Sequence, residues 1–215
     1  EDGIMSLNPK FNFSRRVTKT TNQKTLFLIN QLFKEIGINV HIENPFKYMT
    51  KADVISVMPS SYYDIILNDT RTCSKNPGII HFSNKTTGNF HCGVCIACIL
   101  RQIGTFNNSL QEYDNNYLLP IELYKLKDIE NHEEKISKTG NAKQDKIKAK
   151  YKYLEKKSLL EYYKTFYRNI KSGKIYNYID LNKKYYNDND YYDRINKMLK
   201  KFSKELENYF DNLKE

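Results

Sequence analysis

The chain has 215 residues, 40% of them apolar, with a mean hydropathy of −0.72 and a net charge of +10. That is enough for one core with an extension, and no apolar run approaches the ~18 residues of a membrane-crossing helix. No basic stretch leads into an apolar one near the N-terminus, so the reading is a cytoplasmic protein without a signal peptide.

The charge is uneven. Residues 1–125 hold 13 Lys/Arg against 10 Asp/Glu, net +3; residues 126–215 hold 22 against 15, net +7. A basic half suits nucleic acid. The excess of Lys, Asn, Tyr and Ile is also what an A- and T-rich coding sequence produces.

The sequence opens Glu1-Asp2-Gly3-Ile4 without Met, and Ile4 to Leu7 read as the end of a buried strand. We therefore expect a chain that begins inside something longer. Asn8-Pro9 breaks any regular element. Ser14-Arg15-Arg16 and Thr18-Lys19-Thr20-Thr21 interleave hydroxyls with cations, a donor set that suits phosphate oxygens. The same stretch also reads as a solvated loop with Thr21 or Asn22 as a helix N-cap.

Leu26, Ile29, Leu32, Phe33 and Ile36 predict a helix over 23–36 that Gly37 ends. Ile38 to Ile42 alternates with period two and predicts a short strand, with His41 on its polar face; 43–46 turn. A helix over 50–59 follows, with Thr50 as N-cap, Asp53 completing a capping-box pattern and Pro59 as terminator. Residues 60–68 read as a short helix or strand.

All four cysteines, Cys73, Cys92, Cys95 and Cys98, fall within 26 positions. Two Cys-x-x-Cys steps share Cys95, and Gly93 lets the backbone turn tightly between them. Clustered thiols in a reducing compartment favour a metal over a disulfide. Four sulfurs saturate Zn²⁺ at Zn–S distances near ~2.3 Å, so the centre is structural rather than Lewis-acidic. A four-cysteine iron–sulfur cluster and a redox disulfide pair are the alternatives. His81 and His91 lie in or beside the 18-residue loop between Cys73 and Cys92 but have no coordination position left to fill. Ile96 to Ile103 predicts a helix carrying Cys98, with Arg101 one turn later. Asn107-Asn108 and Pro120 mark loops, and Tyr117-Leu118-Leu119 packs on the core.

Residues 128–150 are almost wholly polar and read as a linker or exposed helix. Two amphipathic helices then appear. The first carries Tyr153, Leu159, Leu160, Tyr163, Phe166, Tyr167 and Ile170. The second carries Ile195, Met198, Leu199, Phe202, Leu206, Tyr209, Phe210 and Leu213. They predict a hairpin packed on itself or on the body; the alternative is a surface where tyrosines stack bases and lysines face phosphates. The eight glycines are isolated, so the chain has no Gly-rich phosphate loop.

Thr70-Arg71-Thr72-Cys73, a spacer, and then His91-Cys92-Gly93-Val94-Cys95-Ile96-Ala97-Cys98-Ile99-Leu100-Arg101 resembles the zinc-binding end of the 7-cyano-7-deazaguanine synthase family. Thr50-Lys51-Ala52-Asp53 is similar to that family's Thr-Lys-Ala-Glu stretch. Glu1 to Asn8, Thr18 to Thr21 and Glu43-Asn44-Pro45-Phe46 are closer to the synthase-like proteins of anti-phage defence islands, including the Qat system. The resemblance covers roughly residues 1–105. Residues 126–215 match nothing in it.

The resemblance implies an α/β fold, the C-terminal part of a doubly wound PP-loop ATP pyrophosphatase domain over 1–125, with a basic helical extension over 126–215. It implies an enzyme that uses ATP and Mg²⁺ to activate a carboxylate on a 7-deazapurine-like small molecule, with Zn²⁺ as scaffold. The family's Ser-Gly-Gly-x-Asp-Ser loop is absent from this sequence, so a partner half, in the same polypeptide or another, supplies it. The spacer is also longer than in the housekeeping synthase. Thr20, Thr21, Lys51 and Arg101 are the expected substrate or phosphate contacts. A homodimer is a further expectation. The competing reading is a non-enzymatic, zinc-stabilised interaction or nucleic-acid-binding module.

Overall fold

A computed structural model describes residues 22–70, 72–73, 91–114, 116–119, 123–136, 141–186 and 188–213. Among these the architecture is helical. Eight α-helices follow in order: α1 (Gln23–Glu35), α2 (Lys51–Ser56), α3 (Tyr63–Asp69), α4 (Ile96–Phe106), α5 (Leu126–Ile136), α6 (Ala142–Lys171), α7 (Tyr176–Asn182) and α8 (Tyr191–Asn212). Short 3₁₀ turns occupy Ser60–Tyr62, Gln111–Tyr113 and Lys183–Tyr185.

This overturns the expected α/β doubly wound domain. Among the described residues, β pairing is limited to one isolated parallel bridge between His91 and Tyr117. The segment 38–42 is not a strand. Asn30 on α1 takes the place of a neighbouring strand: its side-chain amide donates to the Ile42 carbonyl and its oxygen accepts from the Ile42 N–H, both at 2.8 Å. The alternating Ile38, Val40 and Ile42 remain exposed. A period-two pattern specifies a strand only where a second strand meets it.

Local signals explain where the first helices begin and end. Asn22 caps α1 by accepting from the Lys24 N–H at 2.9 Å. Gly37, at φ +74°, closes α1 in a Schellman arrangement, with Ile38 N–H donating to Phe33 C=O at 2.8 Å and Gly37 N–H to Lys34 C=O at 3.2 Å. Thr50 and Asp53 form the reciprocal capping box at the start of α2.

The core is built around α4. Its residues Cys98 to Thr105 are all buried, so the helix presents buried side chains on every face. Ile99, Leu100 and Ile103 share one apolar cluster with Tyr163 and Phe166 of α6 and with Ile195, Leu199, Phe202 and Leu206 of α8. Each such large apolar side chain contributes about 1.5–3 kcal/mol by leaving water.

Polar contacts join the same elements. The Tyr163 hydroxyl donates to the Ile96 carbonyl at 3.1 Å, Tyr209 to Gln102 Oε1 at 3.3 Å, and Thr50 Oγ1 to Glu205 Oε1 at 2.7 Å. Lys201 pairs with Asp53. The two amphipathic helices therefore pack on each other and on α4.

The described part of the polar stretch after 126 is largely exposed helix, as one reading expected, but one face of it is buried. It forms α5 and the start of α6, which cover the cysteine region with Ile129, Ala149 and Tyr153.

Candidate metal centre

The four sulfurs arrive from two directions. Cys73 lies just beyond α3. Cys92 and Cys95 lie in the turn before α4, and Cys98 sits in the first turn of that helix. Their ligand atoms all lie within 4.8 Å of one another. Cys92 and Cys98 are 3.8 Å apart, Cys95 and Cys73 4.0 Å, and Cys95 and Cys98 3.3 Å.

Four sulfurs held ~2.3 Å from one tetrahedral ion would lie ~3.8 Å from each other, so the observed spacings fit a single ion. They are too long for a disulfide, whose S–S bond is ~2.05 Å. A four-cysteine iron–sulfur cluster would spread the sulfurs more widely, because they are shared among two or four irons rather than one.

The turn depends on Gly93. Its φ is +75°, and a Cβ there would lie 2.1 Å from the Leu119 carbonyl oxygen. Both the left-handed backbone and the close approach exclude a side chain. The Cys92 N–H points at Cys73 Sγ at 3.4 Å. Cys95 is the N-cap of α4, so the helix's positive end favours thiolate at Cys95 and Cys98.

Val94, Leu119, Ile129 and Ala149 wall the site off; Cys73 is half-buried and the other three cysteines are buried. Hydrogen bonding from Cys92 pulls the Cys73 thiol down to about 6. The thiols of Cys92 and Cys98 are pushed up, first by their hydrogen bonds with Cys73 and also by burial. Four crowded sulfurs cannot all carry charge by themselves, and a bound dication removes that conflict.

Arg101 is buried, and its guanidinium donates to neighbouring protein groups. Its Nε donates to Asp114 Oδ1 at 2.8 Å, and Nη1 donates to the carbonyl and hydroxyl of Thr70 at 2.9 and 3.0 Å. Nη2 donates to the Leu67 carbonyl. The guanidinium thus ties the end of α3, which leads into Cys73, to the helix bearing Cys98. Asp114 also accepts from Thr105 Oγ1 at 3.1 Å and from the Tyr117 hydroxyl at 2.7 Å. Burial, then the Asp114 carboxylate, pushes the Tyr117 phenol well up.

His91 packs against Tyr117 in a tilted pair, ring centroids 5.2 Å apart, and is fully buried, with neither ring nitrogen hydrogen-bonded among the described residues. Burial and the nearby Arg101 charge push its pKa down. It lies outside the sulfur cluster.

Lys51 opens α2, and its stem lies against α4. A Cβ at Gly104 would come within 2.9 Å of Lys51 Cγ and 2.8 Å of Ile55 Cδ1. Lys51 therefore lies against the helix that carries Cys98 and Arg101. Thr20, Thr21 and His81 lie outside the described residues.

Asp114, which positions Arg101, was missed by sequence reasoning, and Thr70 was read only as part of the Thr-Arg-Thr-Cys stretch. The one available signal was an unassigned acid following the knuckle helix.

No known protein family, curated protein or solved structure matches this chain. No helix among the described residues is long and apolar enough to cross a membrane.

Proposed function

We propose that Cys73, Cys92, Cys95 and Cys98 hold one Zn²⁺ ion as a structural staple. We propose further that the chain is the metal-clamped part of a 7-cyano-7-deazaguanine synthase-like ligase. In that enzyme ATP, with Mg²⁺, activates a carboxylate on a 7-deazapurine-like molecule in the cytoplasm, within a biosynthetic or anti-phage setting. The polypeptide carrying the Ser-Gly-Gly-x-Asp-Ser loop binds the nucleotide and lies outside these 215 residues. The metal fixes the fold and takes no part in the reaction, because four sulfurs leave no open position.

One observation carries this reading. The residues shared with the family's zinc-binding end form a physical unit: the four sulfurs converge, Gly93 meets a steric need, and Arg101 reaches back to Thr70 at the head of the Thr-Arg-Thr-Cys stretch.

The test is reconstitution. This chain is mixed with the loop-bearing polypeptide encoded beside it, ATP, Mg²⁺ and 7-carboxy-7-deazaguanine, and AMP and pyrophosphate are measured. Formation that depends on this chain supports the reading; none with an intact loop-bearing partner overturns it. The alternative, a zinc-stabilised interaction module without chemistry, is favoured by the inward commitment of Arg101's donors.

A further inference from the structure

Away from the cysteines, α1, residues 38–43 and residues 184–186 enclose a cleft of about 830 Å³. None of its lining residues belongs to the metal centre. The volume falls in the ordinary range for a small-molecule site.

Its walls are fixed by contacts independent of any ligand. Asn30 clips residue 42 to α1 through two hydrogen bonds of 2.8 Å. Tyr186 is held against Tyr191 at 4.5 Å and Tyr48 at 5.8 Å between ring centroids. Phe27 meets the edge of Tyr185 at 5.7 Å, joining the two sides.

The lining chemistry is one-sided. Lys34, Lys47 and Lys184 reach the cleft, against the single carboxylate of Glu43, which is already paired with Lys47 at 3.0 Å. Among the described residues no carboxylate lies within ion-pair distance of Lys34 or Lys184. Beside these cations stand the aromatic rings of Phe27 and Tyr185. Gln23, also on the lining, has a buried amide nitrogen with no hydrogen-bond partner among the described residues.

Unneutralised ammonium groups attract a compact anion, aromatic faces accept a planar ring, and a waiting amide donor reads a ring edge. We propose that this cleft binds a nucleoside phosphate, its phosphate between Lys34 and Lys184 and its base against Tyr185 and Phe27. The ligand is a free nucleotide or one unit of a single-stranded nucleic acid. The proposal gives the lysine- and tyrosine-rich C-terminal region a role through Lys184 and Tyr185. It does not rest on the ligase reading.

The test is a set of titrations of the ¹⁵N-labelled full chain, followed by amide shifts. The probes are AMP, GMP, UMP, inorganic phosphate and a short deoxythymidine oligonucleotide. Saturable shifts at residues lining the cleft are expected, with binding tighter than that of inorganic phosphate by about tenfold or more from base stacking. Lys34→Ala and Lys184→Ala are each expected to weaken binding by about tenfold, as is Tyr185→Ala. Lys200→Glu, on the exposed side of α8, leaves it unchanged.

Saturation by the mononucleotides identifies a free nucleotide. Saturation by the oligonucleotide alone, with the same losses in the variants, identifies a nucleic-acid strand. The proposal is overturned if no nucleotide probe binds more tightly than phosphate, or if the Lys34→Glu/Lys184→Glu variant binds as well as the parent. Metal content of the same samples stays constant in either case, so this result is separate from that of the metal centre.

Discussion

Asp114→Ala should cost more than any surface change, and the cost follows from the Arg101 contacts. Arg101 and Asp114 are 3% and 6% exposed, and their 2.8 Å pair lies beneath the cysteine knuckle. Removing the carboxylate strands a buried guanidinium, which costs about 3–5 kcal/mol. It also removes the acceptor for the Tyr117 hydroxyl and one for Thr105. Against a typical total stability of about 5–15 kcal/mol, that leaves a marginal fold.

Urea denaturation of metal-loaded protein followed by circular dichroism gives the number. A double-mutant cycle with Arg101→Met isolates the pair, and a coupling of about 2–3 kcal/mol is expected. A cost below about 1 kcal/mol for Asp114→Ala, or no coupling, refutes the inward assignment of Arg101 and returns it to a solvent- or ligand-facing role.

Three further outcomes are expected. Gly93→Ala forces a left-handed φ and a contact with the Leu119 carbonyl, costing about 2–4 kcal/mol and lowering metal occupancy; unchanged melting and metal content would remove the steric argument. Thr50→Val removes the cap of α2 and a hydrogen-bond donor to the buried Glu205, so a loss of about 1–3 kcal/mol is expected in the same denaturation assay, and a neutral effect would mean α8 does not dock on α2. Burial pushes the Tyr186 phenol up to about 12. Because the folded state keeps this proton longer than the unfolded chain, whose tyrosines ionise near ~10, stability falls as pH rises from about 10 to about 12. Alkaline unfolding monitored at the tyrosinate absorbance should be less steep for Tyr186→Phe, and an identical profile would exclude the burial.

What was legible in the sequence was local. Asn22 or Thr21 as a cap, the Gly37 stop, the Thr50–Asp53 box and the spacing of the cysteines are all set within a few residues, and the described ones lie where the pattern placed them. The strand over 38–42 failed because its partner is the Asn30 side chain rather than a second strand.

The polar segment after 126 is largely exposed helix, but its sequence hid the contacts of the face that packs, for a related reason. Glu133 and Lys152 look solvated in sequence, yet they pair at 2.6 Å between α5 and α6, and Lys156 reaches the Leu123 carbonyl at 3.1 Å while 1% exposed. Charges become compatible with burial only through such pairings. The Arg101–Asp114 pair was hidden likewise, since 13 positions separate two residues that only the folded turn between them brings together.

The central claim is that four cysteines hold one structural zinc ion. Native mass spectrometry with elemental analysis, on the parent chain and on Cys95→Ser, tests it most directly. The account predicts one zinc per parent chain, and for the variant a loss of stoichiometric zinc together with a clear fall in melting temperature. A parent chain that binds no zinc when supplied with it, or a Cys95→Ser variant with full zinc and unchanged melting, would contradict it.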